Sequence, residues 1–176
     1  MLTKKEFVNL VLKGRKADIK ESAIEFADAN IALCKYWGKR NAELNLPLTD
    51  SLSISMDGLG TRTAIKASET GSDIVFLNGK ELDNSSEFAS KIIAFSSLLK
   101  PNGYPPLEIK TENNIPTGAG VASSASGFAA LTKALNSFFG YNLSDKEQSL
   151  IANIGSGSAS RSIYSGFVYR HAGVRE

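Results

Sequence analysis

The sequence predicts a single α+β domain whose helices pack on one mostly antiparallel or mixed sheet. Segments with apolar residues at helical spacing alternate with short apolar segments of strand length, and glycine, proline and Asn-Gly signals separate them. The 176 residues, 42% hydrophobic and 22% charged, have the size and balance of one globular domain. The sequence contains no internal repeat and no low-complexity tract.

The first helix is predicted close to the N-terminus, where Thr3 and Glu6 have the spacing of a capping box. Apolar residues follow at helical spacing: Phe7, Leu10 and Val11. We expect this helix and the charged link after it to form an N-terminal extension, residues 1–20. The domain itself is expected at residues 21–176.

Strands are predicted wherever short apolar runs or alternating patterns occur. Their approximate ranges are 24–33, 52–56, 63–67, 74–77 and 107–110. In the second of these, Leu52, Ile54 and Met56 alternate with serines, which is typical of a strand with one buried apolar face. The pair Asn78-Gly79 predicts a tight turn after the fourth strand.

Three further helices are predicted from apolar residues at helical spacing. One contains Phe88, Ile92, Phe95 and Leu99, and the next contains Phe128, Leu131, Leu135 and Phe138. Pro101 and Gly140 end these two helices. The last helix starts at the capping pattern of Ser144 and Glu147.

Composition excludes several classes of function. The net charge of +2 is too small to indicate a nucleic-acid or membrane-surface partner, and no apolar run is long enough to span a bilayer. The N-terminus lacks the apolar core of a signal peptide, so we expect a cytoplasmic protein. The single cysteine, Cys34, fits a reducing compartment, and its apolar neighbours predict a buried structural thiol rather than a nucleophile.

The scarcity of histidine and cysteine excludes further kinds of chemistry. The only histidine is His171, which we expect at the surface. A serine hydrolase needs a histidine base, and a structural zinc site needs several Cys or His ligands. Phosphate chemistry therefore remains as the main candidate.

A small-residue loop at residues 113–127 is the strongest sequence signal. It has glycines that permit sharp turns, and it leads into a predicted helix whose first N–H groups are unpaired. Such a helix start binds anions, and nucleotide phosphates are the most plausible ligand. The sequence lacks the Gly-Lys-Ser/Thr of a Walker P-loop. An ordinary loop with a serine N-cap remains the alternative.

Two other clusters have the composition of anion sites. Residues 35–40 combine three cations with two aromatic side chains, and Gly38 between them indicates a tight bend. Residues 155–162 combine two glycines and four serines with Arg161, whose guanidinium binds oxyanions in bidentate fashion. The alternatives are a solvated basic turn for the first cluster and a flexible Gly/Ser linker for the second.

The three clusters together resemble the motifs of diphosphomevalonate decarboxylases, which are ATP-dependent members of the GHMP-kinase superfamily. The matching segments are Lys35-Tyr36-Trp37-Gly38-Lys39-Arg40, Pro116 to Gly127, and Gly155-Ser156-Gly157-Ser158-Ala159-Ser160-Arg161-Ser162. The resemblance covers residues 28–170 and implies the fold of a GHMP-kinase N-terminal domain, which is similar to domain 2 of ribosomal protein S5. It implies ATP-dependent decarboxylation of mevalonate 5-diphosphate to isopentenyl diphosphate in isoprenoid biosynthesis.

The resemblance also implies a role for each cluster, with ATP and Mg²⁺ as cofactors. It assigns catalysis to Lys35, Ser124 and Arg161, with Ser124 near the metal. Expected ATP-binding residues are Asn113, Pro116, Gly118, Gly120, Ala122, Ser123, Ser124 and Ser126. Expected residues for mevalonate 5-diphosphate are Tyr36, Trp37, Gly38, Lys39, Ser156, Gly157, Ser158, Ala159, Ser160 and Arg161.

The chain departs from the family pattern in length. Family members are about twice as long, and their second half, the C-terminal GHMP domain, supplies the aspartate that activates the 3-hydroxyl. Three functions stay open: the binding half of the decarboxylase, a related GHMP enzyme such as a mevalonate 3-kinase or phosphomevalonate decarboxylase, and a catalytically inactive ligand-binding fragment. A homodimer is a further open expectation.

Overall fold

A computed structural model describes residues 2–35, 38–115 and 123–173. The predicted class is confirmed, because helices pack on one mixed sheet. The helices are α1 (Lys4–Val11), α2 (Glu87–Leu99), α3 (Ser123–Phe139) and α4 (Asp145–Gly155). The strands are β1 (Ser22–Cys34), β2 (Lys39–Asn41), β3 (Leu46–Pro47), β4 (Ser51–Ala67), β5 (Ile74–Leu77), β6 (Lys80–Leu82), β7 (Leu107–Asn113) and β8 (Phe167–Arg170).

The sheet is organised around β4, its longest strand. The antiparallel partner β1 runs along one edge of β4. The other edge is shared, because β8 pairs with residues 51–54 and β7 pairs with residues 61–67. Beyond β7 the order continues with β5 and β6, and the β5–β7 pair is parallel. The strands β2 and β3 form a separate small hairpin.

The hydrophobic core lies between one face of this sheet and the helices. The long helix α3 contacts β1, β4 and β7, and α2 and α4 pack beside it. The largest fully buried side chains come from α3, from the sheet and from the flanking helices: Phe138, Phe139, Leu131, Leu135, Ile65, Ile109, Leu99 and Ile151.

Most of the predicted elements are present, and local signals explain them. Both capping boxes form, at Thr3–Glu6 and at Ser144–Glu147. The Asn78-Gly79 turn joins β5 to β6 with positive φ at both residues, as a tight hairpin turn requires. The predicted strands 52–56 and 63–67 are one continuous strand, β4.

The face of β4 that is buried differs from the expected one. Ser51 and Ser53 are 1% and 0% exposed, whereas Leu52 and Ile54 are only partly buried on the opposite face. The prediction of a buried apolar face over residues 52–56 is therefore wrong. A period of two assigns residues to the same face, but it does not say which face the helices cover.

The second face of the sheet divides into an apolar part and a charged part. Ile31, Leu33, Phe167 and Tyr169 are 45–70% exposed on β1 and β8. Farther along the sheet, Glu108 of β7 pairs with Lys66 of β4 and with Lys110 of its own strand. Charged side chains keep that part solvated, while exposed apolar patches mark interaction surfaces.

The N-terminal helix packs on the domain. Val8 is fully buried in the main core, and the Arg15 guanidinium donates to the Tyr141 carbonyl at 2.8 Å and to the Glu147 carboxylate at 2.6 Å. The backbone N–H groups of Asp18 and Lys20 donate to carbonyls at the end of α3. Whether residue 20 marks a domain boundary stays a prediction.

Two expectations about single residues have different outcomes. Cys34 is exposed, so the prediction of a buried thiol is wrong. The reason is its position, because β1 is an edge strand and Cys34 is its last residue. The side chain of His171 is 80% exposed, as expected. Among the helices of the described residues, none is long and apolar enough to cross a membrane.

The close approach of β4 to β1 at Gly60 gives a stability prediction. A Cβ at this position would overlap the backbone carbonyl of Ala27. We expect Gly60→Ala to lower the free energy of unfolding by about 1–3 kcal/mol, because backbone must shift to accommodate the methyl group. Gly127, in α3, has open space around it, so Gly127→Ala should instead stabilise by up to about 1 kcal/mol. Urea denaturation of both variants measures the change in free energy of unfolding. Equal changes in the two variants would contradict the close approach of β4 to β1 at Gly60.

The contact between α4 and the segment after α1 gives a pH prediction. The hydroxyl and backbone N–H of Ser144, and then Arg15, lower the pKa of the Glu147 carboxyl to about 2 from an ordinary 4.5. A lowered pKa stabilises the fold fully above the ordinary value, and the stabilisation is lost as pH falls toward about 2. We expect wild type to exceed Glu147→Gln in free energy of unfolding at pH 7, with a difference that shrinks between pH 5 and pH 2. A difference in free energy of unfolding that does not change with pH would contradict the stabilising role of the ionised Glu147 carboxylate.

Candidate functional site

A cavity of about 520 Å³ lies between α2, α3 and β7. Its wall includes Thr111 and Asn113 of β7, Lys91 of α2, and Ser123 and Ser124 at the start of α3. Its apolar part is formed chiefly by Phe88, Ile92, Phe128 and Leu131. The combination of apolar walls and a few polar groups is typical of a small-molecule site.

The start of α3 is fixed to the sheet by buried hydroxyl groups. The hydroxyl groups of Thr61 and Ser126 share a hydrogen bond of 2.8 Å, and both residues are fully buried. The Thr61 hydroxyl also donates to the Asn113 side-chain oxygen at 2.6 Å. Ser126, predicted to bind ATP, therefore holds the helix start in place, while Ser123 and Ser124 are exposed beside the cavity.

Side-chain hydrogen bonds also hold the end of β7, where the small-residue loop of residues 113–127 begins. The Asn114 side chain accepts from Gly60 N–H and donates to the Gly58 carbonyl, both at 2.7 Å. Its neighbour Asn113 donates its backbone N–H to the Asn78 side chain at 2.8 Å. Residues 116–122 lie outside the described part of the chain, among them four predicted ATP-binding residues: Pro116, Gly118, Gly120 and Ala122.

The start of α3 has the electrostatics of an anion site. The first N–H groups of a helix have no intrahelical partner, and the helix dipole places a partial positive charge there. The exposed hydroxyl groups of Ser123 and Ser124 add hydrogen-bond donors at the cavity wall. A phosphate group can bind to such a helix start without any further cation.

The segment 156–162 is packed and hydrogen-bonded, so the alternative of a flexible linker is wrong. Gly157 and Ala159 are buried, and Ser160 is 4% exposed. The Gly157 carbonyl accepts from the Ser160 hydroxyl at 3.0 Å and from the Arg170 guanidinium at 2.7 Å. Ser156 and Ser158 are only partly buried, and their hydroxyl groups share a hydrogen bond of 3.1 Å.

Arg161 is the cation of the segment 156–162, and it is buried, with 3% of its surface exposed. Its Nε donates to the Ser53 hydroxyl at 3.1 Å, and one terminal nitrogen donates to the Ser51 hydroxyl at 3.0 Å. The other terminal nitrogen donates to the Asn30 side-chain oxygen at 3.4 Å. The serines that occupy the unexpected face of β4 are thus the hydrogen-bond partners of Arg161.

The basic cluster is tethered to the end of α4. The Lys39 ammonium donates to the Asn45 side-chain oxygen at 2.8 Å, and the Asn45 amide donates to the Asn153 and Ile154 carbonyls at 3.0 Å. Gly38 has φ +73°, a conformation that favours glycine. Lys35 is exposed directly after β1, and Tyr36 and Trp37 lie outside the described residues.

Two of the clusters adjoin one cavity, and the third is linked through Asn45 to the C-terminus of α4. Ser156 lines the same cavity as Ser123 and Ser124. The hydrogen bond from Asn45 to the Ile154 carbonyl attaches the β2–β3 hairpin to the last turn of α4, immediately before Gly155. Of the predicted site residues, Ser123, Ser124 and Ser156 therefore line one cavity although they are far apart in the chain.

Several residues of this site were not singled out from the sequence. Asn45, Ser51, Ser53 and Thr61 were missed. The one available signal was the alternation of serines in residues 51–55. Buried serines in a strand need hydrogen-bond partners, so a buried cation beside them was a possible interpretation.

The described residues provide no metal cluster, and Asp50 is a poor candidate for a base. No group of three His, Cys, Asp or Glu side chains that could hold a metal ion occurs among residues 2–35, 38–115 and 123–173. Asp50 accepts from the Tyr169 hydroxyl and from the Ala172 N–H, and these bonds lower the pKa of its carboxyl. A carboxylate with a lowered pKa is a weak proton acceptor.

Comparison with known protein families shows to which family the chain belongs. Residues 27–176 match the model of the diphosphomevalonate decarboxylase-like N-terminal domain. The chain belongs to this family. The match includes all three clusters, and the resemblance inferred from their motifs is confirmed.

Relatives and solved structures agree with the family match. The diphosphomevalonate decarboxylase of Gibberella zeae is 45% identical over an alignment of 166 residues, and the match covers 85% of this chain and 43% of that protein. The mevalonate diphosphate decarboxylase structure from Staphylococcus aureus has a TM-score of 0.80 and 39% identity, over 88% of this chain and 47% of that one. A second solved structure, described as MDDEF in complex with MVAPP, AMPPCP and magnesium, has the same TM-score, sequence identity and coverage.

The extent of these matches defines which part of the family the chain represents. The chain spans less than half the length of these relatives. The matched half is the N-terminal one, as the sequence motifs predicted. The expected GHMP-kinase N-terminal domain fold is confirmed as well.

Proposed function

We propose that this chain is the ATP-binding and substrate-binding half of a diphosphomevalonate decarboxylase, which converts mevalonate 5-diphosphate to isopentenyl diphosphate. One observation carries the proposal. The exposed start of α3 and the segment 156–162, with its buried Arg161, adjoin a single cavity through Ser123, Ser124 and Ser156. Two anion sites side by side are what phosphoryl transfer between two anionic substrates requires.

The nucleotide is assigned to the cavity between α2 and α3. Its apolar wall suits a base, and its polar wall at Ser123 and Ser124 suits phosphate groups. The loop with Pro116, Gly118, Gly120 and Ala122 precedes that helix start in the chain, and we assign it to the same phosphates by resemblance. A relative was solved in complex with AMPPCP and magnesium, which supports nucleotide binding in the family.

Magnesium fits this site only together with the nucleotide. The described residues offer no three-carboxylate cluster, and Mg²⁺ in such sites binds substrate phosphates, water and few protein oxygens. The exposed Ser124 hydroxyl is the protein oxygen that we assign to it. The metal would neutralise phosphate charge there.

Mevalonate 5-diphosphate is assigned to Arg161 and the basic cluster. Arg161 offers a guanidinium for the oxyanions, and Ser156, Gly157, Ser158, Ala159 and Ser160 form the segment that carries it. Lys39, Gly38, Tyr36 and Trp37 complete the site by resemblance. Lys35, exposed at the end of β1, is assigned to the reacting end, where a cation offsets developing negative charge.

The reaction needs more than this half supplies. ATP phosphorylates the tertiary 3-hydroxyl, and loss of phosphate and carbon dioxide leaves the alkene. The carboxylate that activates this hydroxyl is assigned to the remainder of the family's length, since Asp50 is already committed to two donors. The protein is accordingly expected to be a cytoplasmic enzyme of isoprenoid biosynthesis whose catalysis requires both halves.

A binding experiment tests the proposal. Isothermal titration calorimetry of this chain should detect mevalonate 5-diphosphate, with at least tenfold weaker binding of mevalonate 5-phosphate because fewer charge-assisted hydrogen bonds form. Lys39→Met should weaken diphosphate binding about tenfold, whereas Lys13→Met, an exposed lysine after α1, should not.

The other outcomes identify the alternatives. Equal affinity for both esters would favour a phosphomevalonate decarboxylase or a mevalonate 3-kinase. Binding of neither ester would leave an inactive module and would contradict the proposal.

A second prediction concerns the nucleotide cavity. A Cβ at Gly155 would overlap the Phe128 ring, which packs edge-on against Phe95 at 5.1 Å and lines the cavity. We expect Gly155→Ala to push this ring toward the cavity and to weaken AMPPCP binding about tenfold. The double variant Gly155→Ala with Phe128→Leu should recover part of the affinity, because leucine leaves room for the methyl group. Unchanged AMPPCP affinity in Gly155→Ala would place the nucleotide elsewhere.

A further inference from the structure

A second cavity, of about 320 Å³, lies beside the nucleotide cavity, where α1, α2 and α4 meet. One face of α2 forms much of its wall, with residues spaced as neighbours on a helix surface: Lys91, Ala94, Phe95 and Leu98. Lys4 of α1, Phe128 of α3 and Ile154 of α4 belong to the other walls. The volume is within the range of small-molecule sites, and the proposed function assigns no ligand to this cavity.

The two cavities are separate, although they share a wall. Lys91, Phe128 and Gly155 line both of them. Of the described residues around the two cavities, the serines at the start of α3 and after α4 line the nucleotide cavity alone: Ser123, Ser124 and Ser156. A ligand in the second cavity therefore leaves the start of α3 accessible to a nucleotide.

The second cavity combines buried apolar side chains with cations. Phe95 and Ile154 are buried, and Leu98 is partly buried. Among the described residues that line this cavity there is no Asp or Glu. Its two cations are Lys4 and Lys91. Such a wall suits a ligand that has both a hydrocarbon part and an anionic group.

The two cations differ in their partners. Lys91 pairs with the Glu87 carboxylate at 2.6 Å, and Glu87 lines the nucleotide cavity. The Lys4 ammonium has no hydrogen-bond acceptor and no carboxylate partner within the part of the chain that the structure describes. The nearby Glu6 carboxylate accepts from the backbone N–H and the hydroxyl of Thr3 instead. Lys4 is therefore the cation that can bind an anionic ligand without losing an existing partner.

The packing of α1 keeps Lys4 at the cavity. The ammonium of the adjacent Lys5 donates to the Ser97 and Leu98 carbonyls at 3.3 and 3.1 Å. These carbonyls lie in the last turn of α2, where no intrahelical N–H is available to them. One turn after Lys4, Val8 is fully buried in the main core. Lys5 and Val8 thus join α1 to the domain, while Lys4 lines the cavity.

The β2–β3 turn forms the side of the cavity next to α4. Asn45 lines the cavity, and its amide nitrogen donates to the Asn153 and Ile154 carbonyls at 3.0 Å. Its side-chain oxygen accepts from the Lys39 ammonium at 2.8 Å. A third ammonium therefore lies close to this wall and adds to its positive potential.

We propose that this cavity is a second ligand site, which binds an alkyl phosphate. The hydrocarbon chain packs against Phe95, Leu98 and Ile154, and the phosphate group binds the Lys4 ammonium. Lys4 lies outside residues 27–176, which match the family model, so the family match does not include this site. The inference goes beyond the proposed function and does not depend on it.

Hexyl phosphate is the probe, and a heteronuclear NMR titration of the 176-residue chain measures its binding. We expect saturable binding with a dissociation constant of about 1 mM or tighter. Nuclear Overhauser effects should join the hexyl chain to the Phe95 ring and to the Leu98 methyl groups. Inorganic phosphate and hexanol should each bind about tenfold more weakly, because each lacks one of the two interactions. Neither AMPPCP nor mevalonate 5-diphosphate should displace the probe.

Lysine-to-methionine variants separate the charge from the packing. Lys4→Met keeps the length of the side chain and removes the charge, so hexyl phosphate should bind about tenfold more weakly while hexanol stays within about twofold of wild type. Lys13→Met, at an exposed lysine after the same helix, should leave both affinities within about twofold. Lys4→Arg should restore phosphate binding. Urea unfolding of each variant verifies that it is folded.

Each contrary result is distinct. Absence of saturable binding to the folded wild-type chain, or full hexyl phosphate affinity in Lys4→Met, would overturn the inference. Displacement by AMPPCP would place the probe in the nucleotide cavity, and displacement by mevalonate 5-diphosphate would make the cavity part of the substrate site. Either displacement would overturn a second site. Failure of AMPPCP and mevalonate 5-diphosphate to bind at all would overturn the proposed function alone.

Discussion

The burial of the Arg161 guanidinium is the constraint on which the rest of this site depends. A buried cation is costly unless its N–H groups are satisfied, and three of its nitrogens donate to Ser51, Ser53 and Asn30. To supply these acceptors, the polar residues of β4 must face the helices. The apolar residues of the same strand must then face the other way. At this end of the domain the buried cation therefore lies against the polar face of β4.

The same interaction links distant parts of the chain into one site. Arg161 and Asn30 attach the segment 156–162 to the sheet, and the first residue of that segment, Ser156, lines the cavity at the start of α3. The hydrogen bond of Asn45 with the Ile154 carbonyl attaches the hairpin that follows the basic cluster to the last turn of α4. These contacts make the two proposed anion sites neighbours, which is the geometry that transfer of a phosphoryl group to a second anionic substrate needs.

The sequence predicts much of this fold because its local signals are strong. The two capping boxes, the Asn78-Gly79 turn and the spacing of the core residues of α3 all correspond to observed elements. The motifs also predicted the family and the half of it that the chain represents. The buried face of β4 and the exposure of Cys34 were predicted wrongly, because both depend on what packs against a strand. Contacts such as Arg161 to Ser53, which are 108 residues apart, leave no local pattern.

A crystal structure of this chain with mevalonate 5-diphosphate, AMPPCP and magnesium tests the central claim most directly. The account predicts ester oxyanions or the carboxylate within hydrogen-bond distance of Arg161, and nucleotide phosphates at the N-terminus of α3. It also predicts that the contacts of Arg161 with Ser51, Ser53 and Asn30 persist in the complex. Ligands bound elsewhere, or a guanidinium that leaves these partners to reach its ligand, would contradict it.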